Sequence, residues 1–157
     1  METLINRNNV EVVISPARAT TIIGERINPA SKEWLKETLR SGDLDRLAQL
    51  AKEQVEAGAD IIDVNVTIPG VDEVDLLPRA VEVVQEAVEV PLSIDSSKPE
   101  AIRAALPLCD GKVIVNSVNG QNDRLLEILP LALQYQSLKQ HHQAQRHQIE
   151  KKKLETL

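Results

Sequence analysis

Phenylalanine is absent from this 157-residue chain, and the only other aromatics are Trp34 and Tyr135. A core without aromatic bulk must be built from Val, Ile, Leu and Ala, which suits the near-continuous apolar strands of a buried parallel sheet. Cysteine occurs once, at Cys109. That excludes an internal disulfide and points to a reducing, cytoplasmic setting. No apolar run approaches the ~18 residues of a membrane span, so no membrane partner is expected. The opening METLINRNN has no charged-then-apolar pattern, so no signal peptide is expected either. Basic residues do not dominate: 18 Lys and Arg face 24 Asp and Glu, for a formal net charge of −6. No basic field draws in phosphate backbones, which argues against a nucleic-acid partner. GxGxxG, the Walker loop and GxSxG are all missing, which lowers dinucleotide, nucleoside-triphosphate and serine-hydrolase readings.

What is present is an ordinary globular composition, 42% hydrophobic and 27% charged, long enough for one domain with a sizeable core. Met1–Asn9 is polar and reads as a frayed end. Val10–Ile14 is rich in strand formers and stops at Ser15-Pro16. It either pairs with a second run at Thr20–Ile23 or lies as a lid under a barrel floor. Gly24 to Pro29 is expected to be a loop. A short helix capped by Ser31 runs to Arg40. Asp43 caps another, whose Leu44, Leu47, Leu50, Ala51 and Val55 recur at helical spacing up to Gly58. Asp60–Val66 reads as a strand, Asp75–Val88 as a helix and Pro91–Ile94 as a strand. Ser97 and Glu100, with Pro99 in the first turn, start a helix that ends at Pro107 and Asp110-Gly111. Lys112–Val115 is a further strand. Asn122 can cap a helix over Asp123–Leu129. Strand and helix thus alternate four times, with strands near 20–24, 61–66, 91–95 and 112–116. That is the signature of βαβ units and a parallel sheet, either a (β/α) barrel or a doubly wound sheet. A complete (β/α)8 barrel takes roughly 250 residues, so the chain holds about half of one.

Ligands in parallel α/β folds sit at the carboxyl ends of the strands. Asp63 and Asn65, Asp95, and Asn116 occupy those ends on three successive expected strands. A carboxylate accepts two N–H donors and a carboxamide matches a donor–acceptor pair, so the set can grip a flat heterocycle. The plainer reading is that Asp63 and Asp95 cap following turns. Glu25-Arg26-Ile27-Asn28 either lines the same mouth, with Asn28 its best candidate, or is a surface loop with a weak ion pair. Asn116 to Gly120 is an anion site at a helix start or, more commonly, an Asx-type turn. Cys109 reads as a small inert side chain. His141, His142 and His147 sit in the polar run Gln134–Leu157, a helical or disordered tail with no metal site expected.

Four motifs in order, IIGERIN at 22–28, GADIIDVNV at 58–66, PLSIDSS at 91–97 and VIVNSVNG at 113–120, resemble the pterin-binding domain. The resemblance is closest to methyltetrahydrofolate methyltransferases that serve corrinoid proteins. The same domain occurs in cobalamin-dependent methionine synthase and, more remotely, dihydropteroate synthase. It implies a TIM barrel that holds a folate pterin in its mouth and transfers the N5-methyl group to the cobalamin of a corrinoid partner protein. It implies that Asp95 anchors the pterin, that Asn116 attends N5 and is catalytic, and that Asn28, Asp63 and Asn65 line the pocket. The methyl leaves only if N5 becomes cationic, which a donor–acceptor side chain can support as charge develops. Dihydropteroate synthase, which condenses a pterin diphosphate with p-aminobenzoate, fits less well. Its Ser-Thr-Arg-Pro-containing loop is replaced here by Thr67-Ile68-Pro69-Gly70-Val71-Asp72.

The family barrel continues for four more βα units, whereas the sequence after Leu133 carries no family-like strand. The expected organisation is therefore the N-terminal half of a (β/α)8 TIM barrel over residues 10–133 and a non-family tail over 134–157. A non-catalytic, truncated or frameshifted fragment is the rival to a working methyltransferase, and a homodimer is one assembly left open.

Overall fold

A computed structural model describes residues 2–116 and 126–135 of the chain. Strand β1 (Thr3–Arg7) and strand β2 (Val10–Ile14) form an antiparallel hairpin. Its tight turn is made by Asn8-Asn9, with Asn8 at φ 50°, a left-handed conformation that asparagine tolerates. The N-terminal segment is thus a strand rather than a frayed end. Of the two options for Val10–Ile14, the floor lid fits. Asn6 O accepts the N–H of Lys112 at 2.7 Å, at the start of the last strand. The buried Arg7 guanidinium donates to Val88 O, and to Gln85 O at 2.6 Å, beneath the sheet.

The main sheet has four parallel strands in the order β3 (Ile23–Ile27), β4 (Ile61–Asn65), β5 (Leu92–Asp95) and β6 (Ile114–Asn116). The first lies three residues later than expected and runs through the segment read as a loop. Gly24 is the reason its place was hidden. A Cβ there would come within 2.8 Å of Gln54 Oε1, and that same oxygen accepts the Arg26 N–H at 2.6 Å. A side chain from the neighbouring helix replaces part of the ladder, and the β3–β4 register shifts between Gly24 and Ile27.

The helices are α1 (Glu33–Ser41), α2 (Asp45–Glu56), α3 (Glu73–Ala87) and α4 (Pro99–Ala105), the last running into a 3-10 turn at Leu106–Leu108. Two expected caps differ: Lys32 and Leu44 stand at the N-caps of α1 and α2, without a side-chain cap, in place of Ser31 and Asp43. Asp72 caps α3 by accepting the Val74 N–H at 2.9 Å. Residues 126–135 are helical and continue past Pro130, where the sequence predicts a stop. Their Ile128 and Leu131 pack on Ile102 and Leu106. The expected Asn122 cap, the Ser117–Gly120 turn and the histidine tail lie outside the described residues.

Alternation along the strands sorts the two faces. Ile62, Val64, Leu92 and Ile94 share the face that packs into one core with Leu47, Leu50, Leu77, Ala80 and Val84 of the helices. The opposite face carries Asp63, Asn65, Ser93, Asp95, Ile114 and Asn116. Sequential strand order with helices on one side is the wall of a (β/α) barrel; a doubly wound sheet would reverse its strand order and cover both faces.

Candidate functional site

The register of three strands sets the site. Asn65 stands opposite Asp95, and Asp95 opposite Asn116, at the carboxyl ends of β4, β5 and β6. One step down, Asp63 stands opposite Ser93. A parallel ladder in uniform register therefore lines up three polar side chains from segments far apart in sequence.

The hydrogen bonds orient these groups. Asn65 Nδ2 donates to Asp95 Oδ2 at 2.7 Å, while Asn65 Oδ1 accepts the N–H of Thr67 at 2.8 Å. The Asn65 carboxamide is thereby fixed with its amino group toward Asp95. Asn116 Nδ2 donates to Asp63 Oδ1 at 3.3 Å. With its amino group turned to Asp63, Asn116 has its carbonyl oxygen as the acceptor for anything bound beside it.

Asp63 is 1% exposed, and its Oδ2 has no hydrogen-bond partner among the described residues. Burial raises its pKa above the ordinary carboxylate value, and the charges of Asp95 and Glu25 push the same way. The Ser93 hydroxyl and Asn116 carboxamide oppose the rise without cancelling it. A buried, unsatisfied carboxyl oxygen is a costly feature. It becomes favourable when a donor reaches it.

A groove of about 570 Å³ opens over this face, lined by Ile23, Glu25, Asp63, Ser93, Ile114, Val115 and Asn116. Its volume suits a small organic ligand. Its mixture of branched aliphatic walls with a few convergent polar groups suits a flat, partly polar ring.

Of the five residues picked out from sequence, Asp63 and Asn116 line the groove, and Asn65 and Asp95 stand beside them at the strand ends without being among its lining residues. Asn28 lies just past β3, and its Oδ1 accepts the N–H of Ala30 at 3.1 Å in a local turn. The structure does not bring it into the groove lining. Within the GERIN segment it is Glu25 that faces the groove. Arg26 turns outward to Glu53 at 2.9 Å, with its side chain half exposed. Ser93, unlike Glu25, was not singled out from sequence. The available signal was its place two residues before Asp95, hence on the same strand face. Cys109 is buried and donates to Ala105 O. Among the described residues no group of three or more His, Cys, Asp or Glu side chains could hold a metal ion, and no helix is long and apolar enough to cross a membrane.

The chain is also similar to known proteins. Residues 24–153 match the family model described as pterin binding enzyme. A methylcorrinoid:tetrahydrofolate methyltransferase of Eubacterium limosum is 40% identical over 110 residues, covering 70% of this chain and 40% of that protein. Among solved structures, a dihydropteroate synthase from Thermus thermophilus in complex with 6HMPPP superposes with a TM-score of 0.52 and 25% identity, covering 85% of this chain and 46% of that one. A 7,8-dihydropteroate synthase from Vibrio fischeri gives a TM-score of 0.53 at 20% identity, over 83% of this chain and 48% of its own, a likeness of fold. The chain thus spans less than half the length of each of these relatives.

Proposed function

Because this chain belongs to the pterin-binding enzyme family, we propose that its groove holds the pterin ring of a tetrahydrofolate and serves methyl exchange between folate N5 and a corrinoid carried by a partner protein. The observation that carries the reading is the row Asn65–Asp95–Asn116 in register at the strand ends, backed by the buried Asp63. A pterin edge offers adjacent N–H donors, and Asp95 retains acceptor lone pairs beyond the one Asn65 occupies. The relative's name runs the transfer from the methylcorrinoid to tetrahydrofolate. The reverse direction crosses the same transition state, so the same side chains serve both.

In that reaction N5 must carry positive charge when it bears both its methyl group and a proton. In this reading the Asn116 carbonyl oxygen accepts that proton's hydrogen bond, because its amino group is held by Asp63. Asp63 adds negative potential behind it. Such stabilisation counts only where charge develops, so it lowers the barrier more than it tightens binding. The corrinoid, carried by a partner, is a substrate of the site and not a resident group.

The test is methyl exchange between methylcobalamin and tetrahydrofolate with the purified chain and its Asn116→Ala variant. The expected result is catalysed exchange in the parent, a loss of rate of about a hundredfold in the variant, and folate binding changed far less. Equal rates in both chains would remove Asn116 from the chemistry. The solved neighbours favour one rival, dihydropteroate synthesis. Formation of dihydropteroate from a pterin diphosphate and p-aminobenzoate, with no methyl exchange, would select it.

A further inference from the structure

Glu73 opens α3 and is 1% exposed, yet it takes no part in the polar row. Its Oε2 accepts from Thr67 Oγ1 at 3.1 Å and from Ser96 Oγ at 2.7 Å, and its Oε1 pairs with Lys98 Nζ at 2.9 Å. Burial works to raise its pKa, but the hydrogen bonds from Lys98, Ser96 and Thr67 together outweigh it and hold the carboxyl below its ordinary value. Glu73 is therefore a buried anion that three side chains and the amino end of a helix all favour.

Its partners are the residues that follow the row. Thr67 comes two residues after Asn65, and its N–H donates to Asn65 Oδ1 at 2.8 Å. Ser96 comes directly after Asp95, and its N–H donates to Asn116 O at 2.9 Å. Ser96 Oγ also accepts the Lys98 N–H at 3.0 Å. We infer that Glu73 is a positioning residue for the site: one buried carboxylate ties the ends of β4 and β5 together, so that Asn65 turns its amino group to Asp95 and Asp95 stays in line with Asn116. The carboxylate lies next to the row and acts through Thr67 and Ser96. Its effect on a pterin rests on the functional reading above; its effect on Asn65 does not.

The rival is that Glu73 only anchors the start of α3. Two variants separate them. Glu73→Gln keeps the shape and removes the charge. Thr67→Val cuts the branch toward Asn65 and leaves Ser96 and Lys98 with Glu73. The first readout needs no ligand: the side-chain NH2 signals of Asn65 in 15N-resolved NMR, with their exchange against solvent. Positioning predicts that both variants shift these signals and speed their exchange about tenfold. The second readout is methyltetrahydrofolate affinity. Both variants are expected to bind about tenfold more weakly, the effect of one lost charge-assisted hydrogen bond. In an Asp95→Asn background the same changes should have almost no further effect, since the group being positioned is gone. If Glu73→Gln lowers the melting temperature while the Asn65 signals keep their shifts and exchange, Glu73 is a helix anchor and the inference is overturned. If the Asn65 signals move but the parent binds no folate, the pterin reading fails and the positioning stands.

Discussion

Asp63 is the residue at which stability and the proposed function pull in opposite directions. Its carboxyl is buried with one oxygen unpartnered among the described residues and has a pKa above the ordinary 3.8. The folded chain therefore holds this proton more tightly than the unfolded chain does. Any stability Asp63 contributes is fully present below the unfolded value and is lost as pH rises through the higher native value. At neutral pH the ionised group is a cost to the fold. Asp63→Asn should consequently stabilise the ligand-free chain at pH 7 by on the order of 1 kcal/mol, or about 2–4 °C in melting temperature. The gain should shrink toward pH 4, where the parent carboxyl takes up its proton. Thermal melts at the two pH values check this, and a variant less stable than the parent at pH 7 would contradict it. Asp63 was legible from sequence as one member of the DVN pair at a strand end. Ser93 and Glu73 were not, because a serine inside an apolar strand and a glutamate in a helix's first turn look ordinary until register and burial are known.

At the scale of elements, β4, β5 and β6 were readable because each is a short apolar run ending in a polar residue, spaced by helical periodicity. The failures have local physical causes. β3 contains Gly24 and donates its Arg26 N–H to a helix side chain, so it does not look like a strand. β1 was overlooked because its hairpin turn, Asn8-Asn9, sits inside a polar opening. That hairpin is a working part of the fold. Gly111, at φ 73°, passes so close to it that an added Cβ would lie 2.0 Å from Asn6 O. Arg7 serves the carboxyl end of α3, where carbonyls outnumber donors. Its guanidinium covers Gln85 O and Val88 O, both approached from below the sheet. Arg7→Met keeps the apolar stem and leaves those carbonyls without that donor. The expected cost is about 2–4 kcal/mol, read as a lower urea midpoint with an unchanged m-value. A midpoint equal to the parent's would show that the hairpin floor adds nothing to stability.

For the molecule as a whole, the architecture followed from one pattern: four apolar strands alternating with helices, and no aromatic residue needed to fill between them. Sequential strand order then puts all the helices on one face and frees the other for the groove. What the pattern could not show was the depth of each side chain. Asp63 and Asp95 looked alike in sequence, yet the first is 1% exposed while the second is only partly buried. The two therefore take different tasks in the proposed reaction. In that proposal Asp95 grips the ring, and Asp63 holds Asn116 toward N5.

The central claim is that the strand-end row of this chain binds a pterin through Asp95. Calorimetric titration of methyltetrahydrofolate into the parent chain and into Asp95→Asn tests it most directly. The account predicts saturable binding by the parent, and binding at least about tenfold weaker in the variant, as for a lost charge-assisted contact. Equal affinity in the two chains, or no binding by the parent at millimolar folate, would contradict it.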